Sequence, residues 1–148
     1  ERAVHQPSNI ILKGNPGTGK TTVARILSKI LNIVGITKSD HFVEVQRADL
    51  VGEYVGWTAQ RTKAQVNRAK GGVLFIDEAY RLVDNSFGKE AIEEIMQEME
   101  CGDPVIIFAG YPAAMDAFLR TNAGLERRVQ HTFTMQDYNP SELAKIFA

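Results

Sequence analysis

With 148 residues, 44% of them apolar and 24% charged, the chain has the size and composition of one globular domain with a substantial core. A net charge of -1 gives no electrostatic reason to expect a nucleic-acid or membrane-surface partner. The single cysteine, Cys101, excludes an internal disulfide framework and a multi-cysteine metal site, and fits an intracellular, reducing setting such as cytoplasm, organelle stroma or nucleus.

Residues 8–12 read as a short buried strand running straight into the glycine-rich turn GNPGTGKTT, residues 14–22. Val23, Ile26, Leu27, Ile30 and Leu31 recur at helical spacing, so a helix is expected from Gly19 to about Ile33. A second strand is expected over 41–46, then a glycine-punctuated loop, VGEYVGW, and a polar helix over about 58–69 that stops at Gly71 and Gly72. The apolar run Val73, Leu74, Phe75 and Ile76 is a third strand, ending in two adjacent carboxylates, Asp77 and Glu78. An amphipathic helix over about 88–100 turns Ile92, Ile95, Met96 and Met99 inward, and strands come next at 104–109 and 132–135. After Asn139 and Pro140 a further helix begins at Ser141. No run approaches the ~18 apolar residues of a membrane span, and the opening ERAVHQPS lacks signal-peptide character. Strands alternating with helices imply a three-layer α/β domain with a parallel five-stranded sheet covered on both faces.

The turn at 14–22 has the P-loop pattern GxxxxGK[ST] in its proper setting, between a strand and a helix. There the backbone of Asn15, Pro16, Gly17, Thr18 and Gly19, with the first residues of the helix, would curl around the phosphates and aim the N–H groups it has at them. Gly17 and Thr18 belong to the same cradle, Lys20 is placed to bridge β- and γ-phosphate oxygens, and Thr21, followed by Thr22, offers a hydroxyl to Mg²⁺. Asp77 would hold the metal directly or through water, and Glu78 would act as general base on an attacking water. The expected ligands are therefore a nucleoside triphosphate and Mg²⁺. His5, His41 and His131 show no ligand spacing, so no other metal is expected.

Taken together, GNPGTGKTT, RADLVGEYVGWTA, AQRTKAQVNRAKG, GGVLFIDEAY, FGKEAIEEIMQEME, VIIFAGYPAAMDAF and NAGLERRV resemble an AAA+ ATPase domain of the CbbX/CfxQ type. That group includes red-type Rubisco activases and stage V sporulation protein K. The resemblance implies an AAA+ core over 1–138 and the start of a helical lid over 139–148. It also implies a homo-oligomer, usually a hexameric ring, with ATP at subunit boundaries and a protein substrate whose identity the motifs leave open. Within it, Arg127 or Arg128 would be an arginine finger reaching the neighbour's γ-phosphate. Tyr54, Val55 and Gly56 would form the pore loop that grips substrate. Tyr111 would offer its hydroxyl where such domains usually carry a small polar sensor of the γ-phosphate. A P-loop small-molecule or nucleotide kinase, or a nucleotide-dependent switch with little turnover, are the rival readings. The adjacent Asp77 and Glu78, suited to activating water, weigh against both.

Overall fold

The computed structural model describes residues 8–15, 19–54, 56–83, 86–135 and 140–147. Its strands are β1 (Ile10–Lys13), β2 (Phe42–Val45), β3 (Val73–Ile76), β4 (Val105–Gly110) and β5 (His131–Thr134). They form one parallel sheet in the order β2-β3-β4-β1-β5. The helices are α1 (Lys20–Ile33), α2 (Arg47–Leu50), α3 (Trp57–Ala69), α4 (Ser86–Met99), α5 (Pro112–Thr121), α6 (Ala123–Arg127) and α7 (Pro140–Phe147), with a 3₁₀ turn at Ala79–Val83.

The strands are near-continuous apolar runs because both faces are covered, as parallel sheets require. Ile10 and Leu12 pack on one face with Ala24, Leu27 and Leu31 of α1, while Ile11 packs on the other with Val66, Ile95 and Phe118. The division comes from topology. The path from β1 to β2 crosses the sheet in one direction, and the path from β2 through β3 and β4 to β5 returns in the other. Crossovers of a single hand therefore place α1 on one face and α3, α4 and α5 on the opposite one. At the carboxyl ends of the adjacent strands β1 and β4 the chain thus departs to opposite faces, which opens a crevice of the kind where open α/β sheets bind ligands.

The expected five strands and parallel order are present, with ends displaced by one or two residues. The helix expected from residue 88 begins at Ser86 and ends at Met99. Three features are not expected from the sequence. One is α2, four residues closed by a reciprocal cap in which the Gln46 backbone N–H donates to Asp49 at 2.9 Å. The others are the 3₁₀ turn after β3 and the pair α5 and α6 between β4 and β5. No helix among the described residues is long and apolar enough to cross a membrane.

The 3₁₀ turn lies against α4 at Gly88, where a Cβ would stand 1.8 Å from the carbonyl oxygen of Leu82. Because that neighbour is backbone, Gly88→Ala is expected to destabilise the fold by about 2–3 kcal/mol through forced separation of the two elements. A urea midpoint equal to that of the parent protein would contradict this packing.

Candidate nucleotide site and its separated arginines

The register levels the ends of three strands. Lys13 pairs with Gly110, Ile76 pairs with Phe108, and the N–H of Gly14 donates to the Gly110 carbonyl at 3.0 Å. The segments leaving β1, β3 and β4 therefore converge on one cleft of ≈ 330 Å³, lined by Gly19, Lys20, Thr21, Thr22, Asp77, Glu78, Gly110 and Tyr111. That volume is at the lower end of small-ligand sites.

The cleft carries groups suited to an anion and to a hard cation. Gly19 enters α1 with φ 81, in the left-handed region; among the described residues no side chain caps the helix, and its first turn carries no acidic residue. Its first N–H groups are thus left for an incoming oxyanion, with the positive end of the helix dipole behind them. The Lys20 ammonium folds back onto the carbonyl oxygens of Gly14 at 2.9 Å and Asn15 at 3.3 Å, both neutral acceptors, and makes no ion pair among the described residues. The Thr21 hydroxyl, next to Lys20 on α1, and the Asp77 carboxylate after β3 are the oxygen donors that Mg²⁺ prefers, few enough to leave room for phosphate and water. The residues present therefore fit a magnesium-bound nucleotide. Pro16, Gly17 and Thr18 lie outside the described residues.

Glu78 comes directly after β3 and Asp77 with φ 51, the only positive φ at a non-glycine position among the described residues. Its Oε1 accepts a hydrogen bond from the Tyr80 hydroxyl at 2.8 Å and stands 3.2 Å from the Arg81 guanidinium. The Tyr80 phenol is pushed up to about 12, first by burial and then by the Glu78 carboxylate, so it remains a donor at all ordinary pH values. Its ring stacks on Tyr111 with centroids 5.6 Å apart, and the Tyr111 ring in turn lies 5.8 Å from the Lys20 nitrogen. Tyr111 is 38% exposed and faces the cleft, where its place in the sequence leads one to expect a sensor. Tyr80 and Arg81 are not legible as site residues in the sequence, since their contacts depend on the reversal of the chain at Glu78.

The two arginines are not in this cleft. They precede β5, whose first residue, His131, pairs with Ile10 at the start of β1. Arg127 and Arg128 therefore lie at the amino-terminal edge of the sheet, about a strand length, roughly 10–13 Å, from the level of the P-loop. Asn9, 1% exposed, fastens this segment to the sheet. Its Nδ2 donates to the Arg128 carbonyl at 3.2 Å, its Oδ1 accepts from the Ile106 N–H at 3.0 Å, and its own N–H donates to Gln130 Oε1 at 2.8 Å. The two side chains then diverge. Arg128 donates to the Gly124 carbonyl at 2.8 Å and to Glu100 at 3.0 Å, whereas Arg127 is exposed and makes no hydrogen bond or ion pair among the described residues.

Tyr54 and Gly56 stand apart from the cleft on the loop before α3, and Val55 lies outside the described residues. Below the loop, Thr58 accepts from the Gly52 N–H at 2.9 Å and Thr62 donates to the Leu50 carbonyl at 3.0 Å, both threonines being fully buried. Above these anchors the rings of Tyr54 and Trp57 meet edge to face at 4.7 Å, 59% and 51% exposed.

Comparison with known proteins agrees with this geometry. The family model of the ATPase family associated with various cellular activities (AAA) matches residues 10–134. Stage V sporulation protein K of Bacillus subtilis is 44% identical over 146 residues, 95% of this chain and 45% of that protein. The chloroplastic ribulose bisphosphate carboxylase/oxygenase activase of Cyanidioschyzon merolae is 50% identical over 139 residues, 90% of this chain and 47% of that protein. The chain thus spans about half the length of the curated relatives it matches. Among solved structures, the closed state of Hsp104 with ATPγS and casein superposes with a TM-score of 0.62 at 25% identity, covering 85% of this chain and 23% of that one. The P-loop NTPase domain of an Escherichia coli sigma-54 transport activator superposes with a TM-score of 0.57 at 19% identity, over 86% of this chain and 89% of that domain, a likeness of fold alone. A P-loop cleft at the carboxyl ends of a β2-β3-β4-β1-β5 sheet, and a family match that runs from the first strand to the last, establish that the chain belongs to the AAA ATPase family, in its CbbX/CfxQ type.

Proposed function

We propose that this chain is the core of an ATP-driven protein-remodelling machine, hydrolysing Mg-ATP where copies of the chain meet in a ring. The separation of the site into two halves supports this most directly. Lys20, Thr21, Asp77 and Glu78 share one cleft, while Arg127, which makes no hydrogen bond or ion pair among the described residues, stands at the other end of the sheet, out of reach of its own cleft. A cation so placed serves a nucleotide held by a neighbouring copy.

In this reading the first N–H groups of α1 and the Lys20 ammonium hold the triphosphate, and Glu78 takes the proton of the attacking water. Mg²⁺, held by Thr21 and Asp77, neutralises charge on the phosphate oxygens. Tyr111 closes the cleft beside Lys20 and meets the nucleotide there. Arg127 is the finger and Arg128 the residue that fixes the segment carrying it. Residues 1–138 form the nucleotide-binding core, and 139–148 open the lid subdomain. Hsp104, solved with ATPγS and casein, supports the remodelling half of the reading.

Phosphate release per subunit, measured across a range of protein concentrations in the natural full-length polypeptide, tests the shared site. A specific rate that climbs with concentration and disappears in Glu78→Gln is expected. A flat rate would mean that each subunit is self-sufficient.

The exposed Tyr54, with Val55 and Gly56, is the part of the chain that grips substrate. Tyr54→Ala is expected to retain ATP hydrolysis within about twofold while unfolding of a model protein substrate drops at least about tenfold, since an aromatic contact supplies grip and no chemistry. Equal loss of both activities would assign Tyr54 to the fold.

A further inference from the structure

The two donors that reach Glu78 converge on one oxygen. Tyr80 Oη and Arg81 both engage Oε1, and among the described residues no hydrogen bond is made to Oε2. The carboxylate is about a quarter exposed and lines the cleft. Its backbone sits in the left-handed region, the kind of local strain that persists only where surrounding contacts hold it, and that collects at functional sites. The 3₁₀ turn supplies that hold, beginning with the Arg81 N–H donating to the Glu78 carbonyl at 3.0 Å.

Tyr80 is itself wedged in place. Gly110 has no side chain, and a Cβ there would stand 2.9 Å from Tyr80 Cδ2 and 2.7 Å from the Met115 sulfur. The ring lies over the end of β4, stacked on Tyr111, which faces Lys20. Three strand ends are thus tied in sequence: Lys20 after β1, Tyr111 after β4, and Glu78 after β3.

We propose that Tyr80, assisted by Arg81, is a positioning residue for the catalytic base: it pins Oε1 of Glu78 so that Oε2 is presented to the attacking water. This rests on the reading of Glu78 as the base. The hydroxyl is a fixed donor, and a carboxylate held by one oxygen has one rotation left to align instead of an ensemble of side-chain rotamers. Geometry of this kind affects the chemical step and leaves nucleotide binding alone, because neither Tyr80 nor Arg81 lies among the residues that line the cleft.

Tyr80→Phe in the natural full-length polypeptide is the test, since it removes one oxygen and keeps the ring stacked on Tyr111. The expected result is a fall of about tenfold in kcat for ATP, with KM changed less than about twofold and the melting temperature unchanged. Arg81→Gln, on a side chain 52% exposed and therefore safe for folding, is expected to lower kcat in the same direction by about threefold. An active, Glu78-dependent parent with a Tyr80→Phe variant equally fast, or faster, overturns the inference and leaves the hydrolase reading intact. A parent that releases no phosphate, or releases it as well with Glu78→Gln, overturns the hydrolase reading and this inference with it.

Discussion

Glu78→Gln is expected to abolish steady-state ATP hydrolysis, with a loss of about 10²–10⁴-fold, while Mg-ATP affinity stays within about threefold. The expected split comes from position. In the proposed reading the phosphate contacts come from the first turn of α1 and from Lys20, which line the cleft, and the amide of Gln retains the size of the carboxylate without its ability to accept a proton. Tyr80 and Arg81 still have an oxygen to engage, so the 3₁₀ turn keeps its partner and the fold its stability. Fluorescent-nucleotide titration beside phosphate release measures both quantities. A variant that hydrolyses ATP at the parent rate would remove Glu78 from the chemistry and return weight to a kinase or a switch.

Arg127→Ala is expected to cost about 10³-fold in turnover, again with affinity retained, because in the proposed ring its guanidinium would reach the neighbour's nucleotide and stabilise charge that develops only in the transition state. Arg128→Ala should behave differently. Its guanidinium bonds Gly124 and Glu100 within the same chain, so truncation leaves a carbonyl and a carboxylate without their donor and lowers the melting temperature. Circular dichroism melts beside the rate assay separate the two effects. If Arg127→Ala kept full turnover and Arg128→Ala lost it without loss of stability, the roles would be reversed.

Much of this is legible in the sequence because the informative signals are local. An uninterrupted apolar run such as Val73 to Ile76 identifies a strand buried on both faces, and glycines around a Lys-Thr pair at a strand-to-helix junction identify a phosphate cradle. The helix α5 has usable signals too: Pro112 at its first position and Met115, Phe118 and Leu119 at helical spacing. In contrast, α2 is only four residues long and leaves no periodicity to detect.

The remaining features depend on contacts far apart in sequence. Arg127 and Arg128 are adjacent and chemically identical, and only Glu100, the Gly124 carbonyl and the Asn9 clamp distinguish them. Asn9 reads in the sequence as an ordinary polar residue before a strand, yet it joins β4 to the segment before β5. Tyr80 becomes visible only once Glu78 takes its left-handed turn and Gly110 leaves space above the sheet.

The central claim is that a complete hydrolytic site takes its base from one copy of the chain and its arginine from the next. Mixing inactive Glu78→Gln subunits with inactive Arg127→Ala subunits, under conditions that allow exchange, tests it most directly. With random mixing at equal amounts, roughly a quarter of the interfaces pair an intact Glu78 with an intact Arg127 across a head-to-tail contact, and activity should return to that order. A mixture as inactive as its two components, with exchange verified by labelled subunits, would contradict the shared site.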